Sequence, residues 1–117
     1  MTTCVLIVED EWVIAEDHTI TLRDAGYEIV GPCASVSEAL SAICTHHVDA
    51  AFLDVQLRNE RSYPVAEKLK ELGIPFMLLS GYDERNLPAP LKSMQVLSKP
   101  VEPSRLVAAA ESMTHHV

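Results

Sequence analysis

Glu9 and Asp10 stand directly behind the apolar run Cys4 to Val8, Asp54 closes a second such run from Asp49 to Leu53, Ser80 follows Phe76 to Leu79, and Lys99 lies just beyond Gln95 to Leu97. Brought together, these residues are three carboxylates, a hydroxyl and an ammonium. Carboxylates held within ~4 to 6 Å of one another repel and raise one pKa unless a cation neutralises them. Oxygen-only donors from few carboxylates, with room left for water and a phosphate oxygen, suit Mg²⁺ better than a softer metal. Metal, lysine and hydroxyl around one aspartate also make a site for phosphoryl transfer, in which catalysis is mainly positioning and charge neutralisation. Asp54 lies nearest the middle, so it is the expected nucleophile and an aspartyl phosphate the expected product.

The elements between these residues decide whether they meet. Apolar runs at Cys4 to Val8, Glu28 to Val30, Asp49 to Leu53, Phe76 to Leu79 and Gln95 to Leu97 are short and rich in β-branched residues, and the clearest are apolar on consecutive positions. That pattern fits strands covered on both faces. Helical periodicity fills the intervals: Ile14, Leu22 and Ala25, ended by Gly26; Val36, Ala39, Leu40 and Ile43; Val65, Leu69 and Leu72, ended by Gly73; and Leu106, Ala109, Ala110 and Met113. Ser35 and Glu38 have capping-box spacing, and Pro64 and Pro103 suit first-turn positions. From Asp83 to Ser93 the pattern weakens, and Pro88 and Pro90 point to loop or one short turn rather than a full helix. Alternating strands and helices with right-handed crossovers give an α/β fold with a doubly wound parallel sheet. In such a sheet every strand ends at one edge, where ligands bind, so sequence position becomes proximity.

Composition narrows the function classes. The 117 residues suffice for one domain, expected over 1–117, and hold no apolar run long enough to span a membrane. The formal net charge of -8 would repel nucleic-acid phosphates and acidic lipid, so direct nucleic-acid binding and membrane insertion are not expected. The opening "MTTCVLIVEDE" has no basic leader of a secretory signal. Cys4, Cys33 and Cys44, odd in number and without C-x-x-C spacing, read as small core hydrophobes in a reducing, cytoplasmic compartment. His18 interrupts the apolar face of the first helix and reads as a satisfied packing histidine, while His46-His47 and His115-His116 read as exposed helix-end residues.

Taken in order, the acidic pair, the lone Asp54, Ser80-Gly81 and Lys99-Pro100 resemble the response-regulator receiver family of two-component signalling over essentially the whole chain. The resemblance implies a flavodoxin-like fold with five parallel strands in the order 2-1-3-4-5 and a phosphoacceptor at Asp54. It implies Asp10 as a direct Mg²⁺ ligand, Glu9 acting on the metal through water, the Gln56 carbonyl as a further ligand, and Ser80 and Lys99 as contacts to the phosphoryl group. A cis peptide bond commonly joins this lysine to the following proline. The implied donor is a sensor histidine kinase or histidine phosphotransferase, and the implied catalysis is confined to the protein's own phosphorylation and dephosphorylation. With no further domain after Met113, a stand-alone receiver signalling through a downstream protein partner is expected.

Departures from the commonest pattern lie in "DVQLRNERSYP", where Leu57, Arg58 and Ser62 replace the family's Met-Pro and Gly, and at Val96, where an aromatic switch residue is usual. "PFMLLSGYD" and "RSYPVAEKL" resemble the subgroup nicknamed FATGUY receivers, in which the fourth helix is short or absent; Tyr82 would then share the switching role, with ordering of Gly81 to Ser93 as the switch. Two other readings stay open. An aspartate-nucleophile small-molecule phosphohydrolase would want an acid where Gln56 stands, and a phosphorylation-independent flavodoxin-like binding module would be helped by a phosphate-binding glycine loop.

Overall fold

Five parallel strands in the order β2-β1-β3-β4-β5 form the sheet of the computed structural model, which describes residues 2–81 and 95–114. In chain order the elements are β1 (Cys4–Val8), α1 (Trp12–Asp24), β2 (Glu28–Cys33), α2 (Val36–Thr45), β3 (Ala50–Asp54), α3 (Tyr63–Leu72), β4 (Phe76–Ser80), β5 (Val96–Ser98) and α4 (Pro103–Thr114). The expectations for Asp83 to Ser93, Tyr82 and His115-His116 lie outside the described residues, so α4 here is the helix that follows β5.

Consecutive apolar residues in the strands serve two cores. Leu6, Val8, Leu53 and Leu78 pack with Ala39, Ile43, Val65 and Leu69 of α2 and α3. Their neighbours Val5, Ile7, Phe52 and Leu79 point the other way and pack with Leu22, Leu106, Ala109 and Ala110 of α1 and α4. Period-two alternation therefore feeds both faces, as a doubly covered sheet requires.

Local signals account for most helix boundaries. The Ser35 hydroxyl accepts the Glu38 N–H at 3.2 Å, while the Glu38 carboxylate accepts the Ala34 N–H at 2.8 Å, so the capping box closes one residue earlier than usual. Pro64 and Pro103 sit in first turns. Two apolar assignments are corrected: Ala25 and Leu72 are exposed. At each site the chain reverses at a glycine of positive φ, and the residue after it donates back into the helix, Tyr27 to the Leu22 carbonyl at 3.0 Å and Ile74 to the Leu69 carbonyl at 2.9 Å. This closure turns Tyr27 and Ile74 onto the core in place of the residue before the glycine.

The buried stripe of α1 is Ala15, His18, Thr19 and Leu22, with Ile14 only half-buried. Thr19 tolerates this by donating its hydroxyl to the Ala15 carbonyl at 2.8 Å. His18 is buried as expected but not satisfied: its Nδ1 has no hydrogen-bond partner among the described residues, and burial lowers its pKa, favouring the neutral ring. Cys33 is buried and Cys4 half-buried, but Cys44 is exposed on α2 and is no core residue; all three thiols are free. His46 and His47 are exposed beyond α2, as expected.

Strand β2 runs three residues beyond the sequence reading, through Gly31 and Pro32, because pairing resumes at Val8 with Cys33 after an irregularity. Gly31 has φ 94°, and a Cβ there would lie 2.7 Å from the Cys33 backbone nitrogen and 3.1 Å from the Ile7 carbonyl oxygen. Backbone atoms cannot swing aside, so Gly31→Ala is expected to cost about 2 kcal/mol or more. Urea unfolding checks this; an unchanged midpoint would show that the strand end absorbs the methyl group.

Candidate functional site

The carboxyl ends of β1, β3, β4 and β5 meet as the topology requires, and backbone bonds fix their heights. The Glu9 N–H donates to the Cys33 carbonyl at 2.9 Å, Val55 N–H to the Leu79 carbonyl at 3.0 Å, and Lys99 N–H to the Ser80 carbonyl at 3.1 Å. These bonds put Glu9, Asp54, Ser80 and Lys99 at the mouth of the sheet. The Lys99–Pro100 peptide bond is cis.

Glu9, Asp10 and Asp54 each offer a carboxylate oxygen, and these oxygens lie within 4.8 Å of one another. Glu9 and Asp54 are buried, at 2% and 5% exposure, whereas Asp10 is half-buried. The Lys99 ammonium bridges the buried pair, 2.9 Å from Asp54 Oδ2 and 3.1 Å from Glu9 Oε1. Sequence reasoning paired this lysine with Asp54; its second bond, to Glu9, had no signal in spacing. The Gln56 N–H donates to Asp54 Oδ1 at 3.4 Å, and the Gln56 carboxamide donates to the Leu57 carbonyl at 2.9 Å. A cleft of about 550 Å³ opens over Asp10, Asp54, Gln56, Ser80, Gly81 and Lys99. The structure thus brings Asp10, Asp54, Gln56, Ser80 and Lys99 to one cleft, with Glu9 behind them in contact with Lys99. Arg58, read from the sequence only as a departure from the family pattern, and Glu11, to which no role was given, also line the cleft.

One ammonium does not balance three carboxylates. Burial, then the hydrogen bond and charge of Asp54, push Glu9 up to about 7, against the opposing pull of Lys99. Burial works against the Lys99 charge, yet its contacts with Asp54 and Glu9 hold its pKa above the usual lysine value. The site thus has excess negative charge, oxygen-only donors and a cleft open to water. That donor set fits a hard divalent cation such as Mg²⁺. A buried carboxylate beside a fixed ammonium and a hydroxyl is also suited to taking up a phosphoryl group.

A second cleft, about 600 Å³, lies between α1 and the loop after β5, and Lys99 borders both. Its walls include Trp12, Val13 and Ile20, which are 73%, 61% and 51% exposed. No helix among the described residues is long and apolar enough to cross a membrane.

Residues 5–111 match the family profile of the response regulator receiver domain. The chain is 32% identical over 111 residues to the transcriptional regulatory protein PdtaR of Mycobacterium tuberculosis, covering 92% of this chain and 54% of that protein. Sensory transduction protein LytT of Bacillus anthracis is 29% identical over 88% of this chain and 44% of its own length. The chain therefore spans about half the length of these curated relatives. Among solved structures, SdrG from Sphingomonas melonis Fr1 superposes with a TM-score of 0.81 at 34% identity, covering 96% of each chain.

Proposed function

The chain belongs to the response regulator receiver domain family, and from that premise we propose that it accepts a phosphoryl group on Asp54 from the phosphohistidine of a sensor kinase or histidine phosphotransferase in the cytoplasm. The observation that carries this reading is the Asp54 carboxylate, buried at the base of an open cleft, 2.9 Å from an ammonium and within 4.8 Å of two further carboxylates. An Asp54 oxygen attacks phosphorus, the P–N bond breaks, and the electron pair leaves with the donor imidazole. Lys99 exchanges its bonds to carboxylate for one to a phosphoryl oxygen, and the Ser80 hydroxyl donates to another. Glu9, Asp10, Asp54 and the Gln56 carbonyl would hold Mg²⁺, which when bound supplies positive charge to the transferred oxygens.

The donor docks on α1. Trp12, Val13 and Ile20 form an exposed apolar face that runs toward Lys99, and the exposed acids Glu11, Glu16 and Asp17 flank it. The complementary surface is apolar with a basic rim, and it presents its phosphohistidine over Lys99. Output passes to a protein partner that distinguishes the two phosphorylation states.

Acetyl phosphate with Mg²⁺ tests the central claim without any partner. One phosphoryl group per chain is expected by intact-mass spectrometry, and EDTA is expected to prevent its addition. An unchanged mass in folded protein would sink the reading.

A further inference from the structure

We infer that Glu60 is a positioning residue for the phosphoacceptor loop, strapping the turn between β3 and α3 to the first turn of α2 and so fixing where Gln56 sits beside Asp54. The inference rests on the receiver reading, because Gln56 matters only if its carbonyl serves the metal.

The loop is a tight antiparallel turn. Gln56 pairs with Arg61, the Leu57 N–H donates to the Glu60 carbonyl at 2.9 Å, and the Ser62 N–H donates to the Val55 carbonyl at 3.0 Å. Gln56 therefore cannot shift without carrying Glu60 along. The Glu60 carboxylate in turn accepts the N–H of Val36, the first residue of α2, at 3.0 Å. That amide is one of the orphan donors of a helix start, where a negative charge also meets the favourable end of the helix dipole. The N-cap does not compete for it, since Ser35 is occupied with Glu38.

Other anchors do not replace this bond. Leu57 is buried in the core shared with α2 and α3, which fixes the depth of the loop, but apolar contact leaves rotation free. The Ser62 hydroxyl is buried without a hydrogen-bond partner among the described residues. From the Asp54 side the hold is weak, because the Gln56 N–H reaches Asp54 at only 3.4 Å. The strand that leads into α2 is joined to the other half of the site: Cys33, the last residue of β2 and three residues before Val36, accepts the Glu9 N–H at 2.9 Å. Glu9 directly, and the Gln56 loop through Glu60, are thus tied to the short stretch from Cys33 to Val36. A change at the site is felt there through Glu60.

Amide exchange and Mg²⁺ titration of the wild type, Glu60→Ala and Glu60→Gln, with the single Trp12 as fluorescent reporter, test the strap. Without metal, Glu60→Ala is expected to speed exchange of the Val36 amide about three- to tenfold, the loss of one charge-assisted bond at a helix start. It is expected to weaken Mg²⁺ binding by a similar factor, and added Mg²⁺ should slow Val36 exchange in the wild type but not in the variant. Glu60→Gln keeps an acceptor oxygen but loses the charge, so it is expected to show both effects in reduced size, which also serves if Glu60→Ala folds poorly. Equal Mg²⁺ affinity in wild type and Glu60→Ala, or an equal response of Val36 in both, overturns the proposal. A wild type that binds no Mg²⁺ would instead bring down the receiver reading on which it stands.

Discussion

Asp54→Asn is expected to take phosphoryl incorporation from acetyl phosphate below detection while changing unfolding stability by no more than about 1 kcal/mol. The chemical half follows from the acceptor: a carboxamide oxygen carries no charge to attack phosphorus, and no bond to Lys99 restores one. The stability half follows from what surrounds it. Asp54 is buried and bonded to Lys99 at 2.9 Å, so deleting its charge removes an ion pair. Its charge also opposes ionisation of Glu9, which remains 3.1 Å from the same ammonium. Once Asp54 is neutral, Glu9 ionises more easily and Lys99 keeps a full partner, while the new carboxamide oxygen still accepts a bond from it. Removing one partner of a buried pair is costly only when the other is left uncompensated. Intact mass and urea titration together decide: phosphoryl transfer to the variant would show a different acceptor, and collapse of its fold would show Lys99 dependent on Asp54 alone.

The site was legible in the sequence because a parallel sheet converts strand ends into neighbours. Glu9, Asp10, Asp54, Ser80 and Lys99 needed no knowledge of distances, only of which residue closes each apolar run. What sequence could not supply was contact between side chains, hence the missed bond from Lys99 to Glu9 and the bond from Glu60 to Val36 across 24 residues. The inner stripe of α1 was obscured for a different reason. It includes His18 and Thr19, while the apolar Trp12, Val13 and Ile20 face outward, so apolar periodicity caught the correct side only through Leu22 and the half-buried Ile14. Glycine at a helix end misled by one residue: it was correctly placed, yet the residue that packs follows it rather than precedes it.

Mg²⁺ affinity is expected to rise about tenfold between pH 6 and pH 8 and to flatten above, because the cation must displace a proton held at Glu9. Glu9 has its pKa raised from 4.5 to about 7, by burial first and by Asp54 next. Across that interval the folded protein keeps a proton that the unfolded chain has lost. The sign for the metal-free protein is therefore the reverse of a salt-bridged acid: the contribution is fully present below about pH 4.5 and is lost as pH rises through about 7. A divalent cation inverts the balance, since it favours the ionised carboxylate and so binds better as the proton leaves. Thermal stabilisation by a fixed Mg²⁺ concentration should accordingly be small at pH 6 and larger at pH 8, following the ratio of ligand to dissociation constant. Neighbouring groups do not produce this slope. Contacts with Asp54 and Glu9 hold Lys99 charged throughout, and burial lowers the pKa of His18. Glu9→Gln removes the titrating proton, so the variant should bind Mg²⁺ with little dependence on pH over the same range. Equal affinity at pH 6 and pH 8 in the wild type, or an undiminished slope in Glu9→Gln, would place the proton elsewhere.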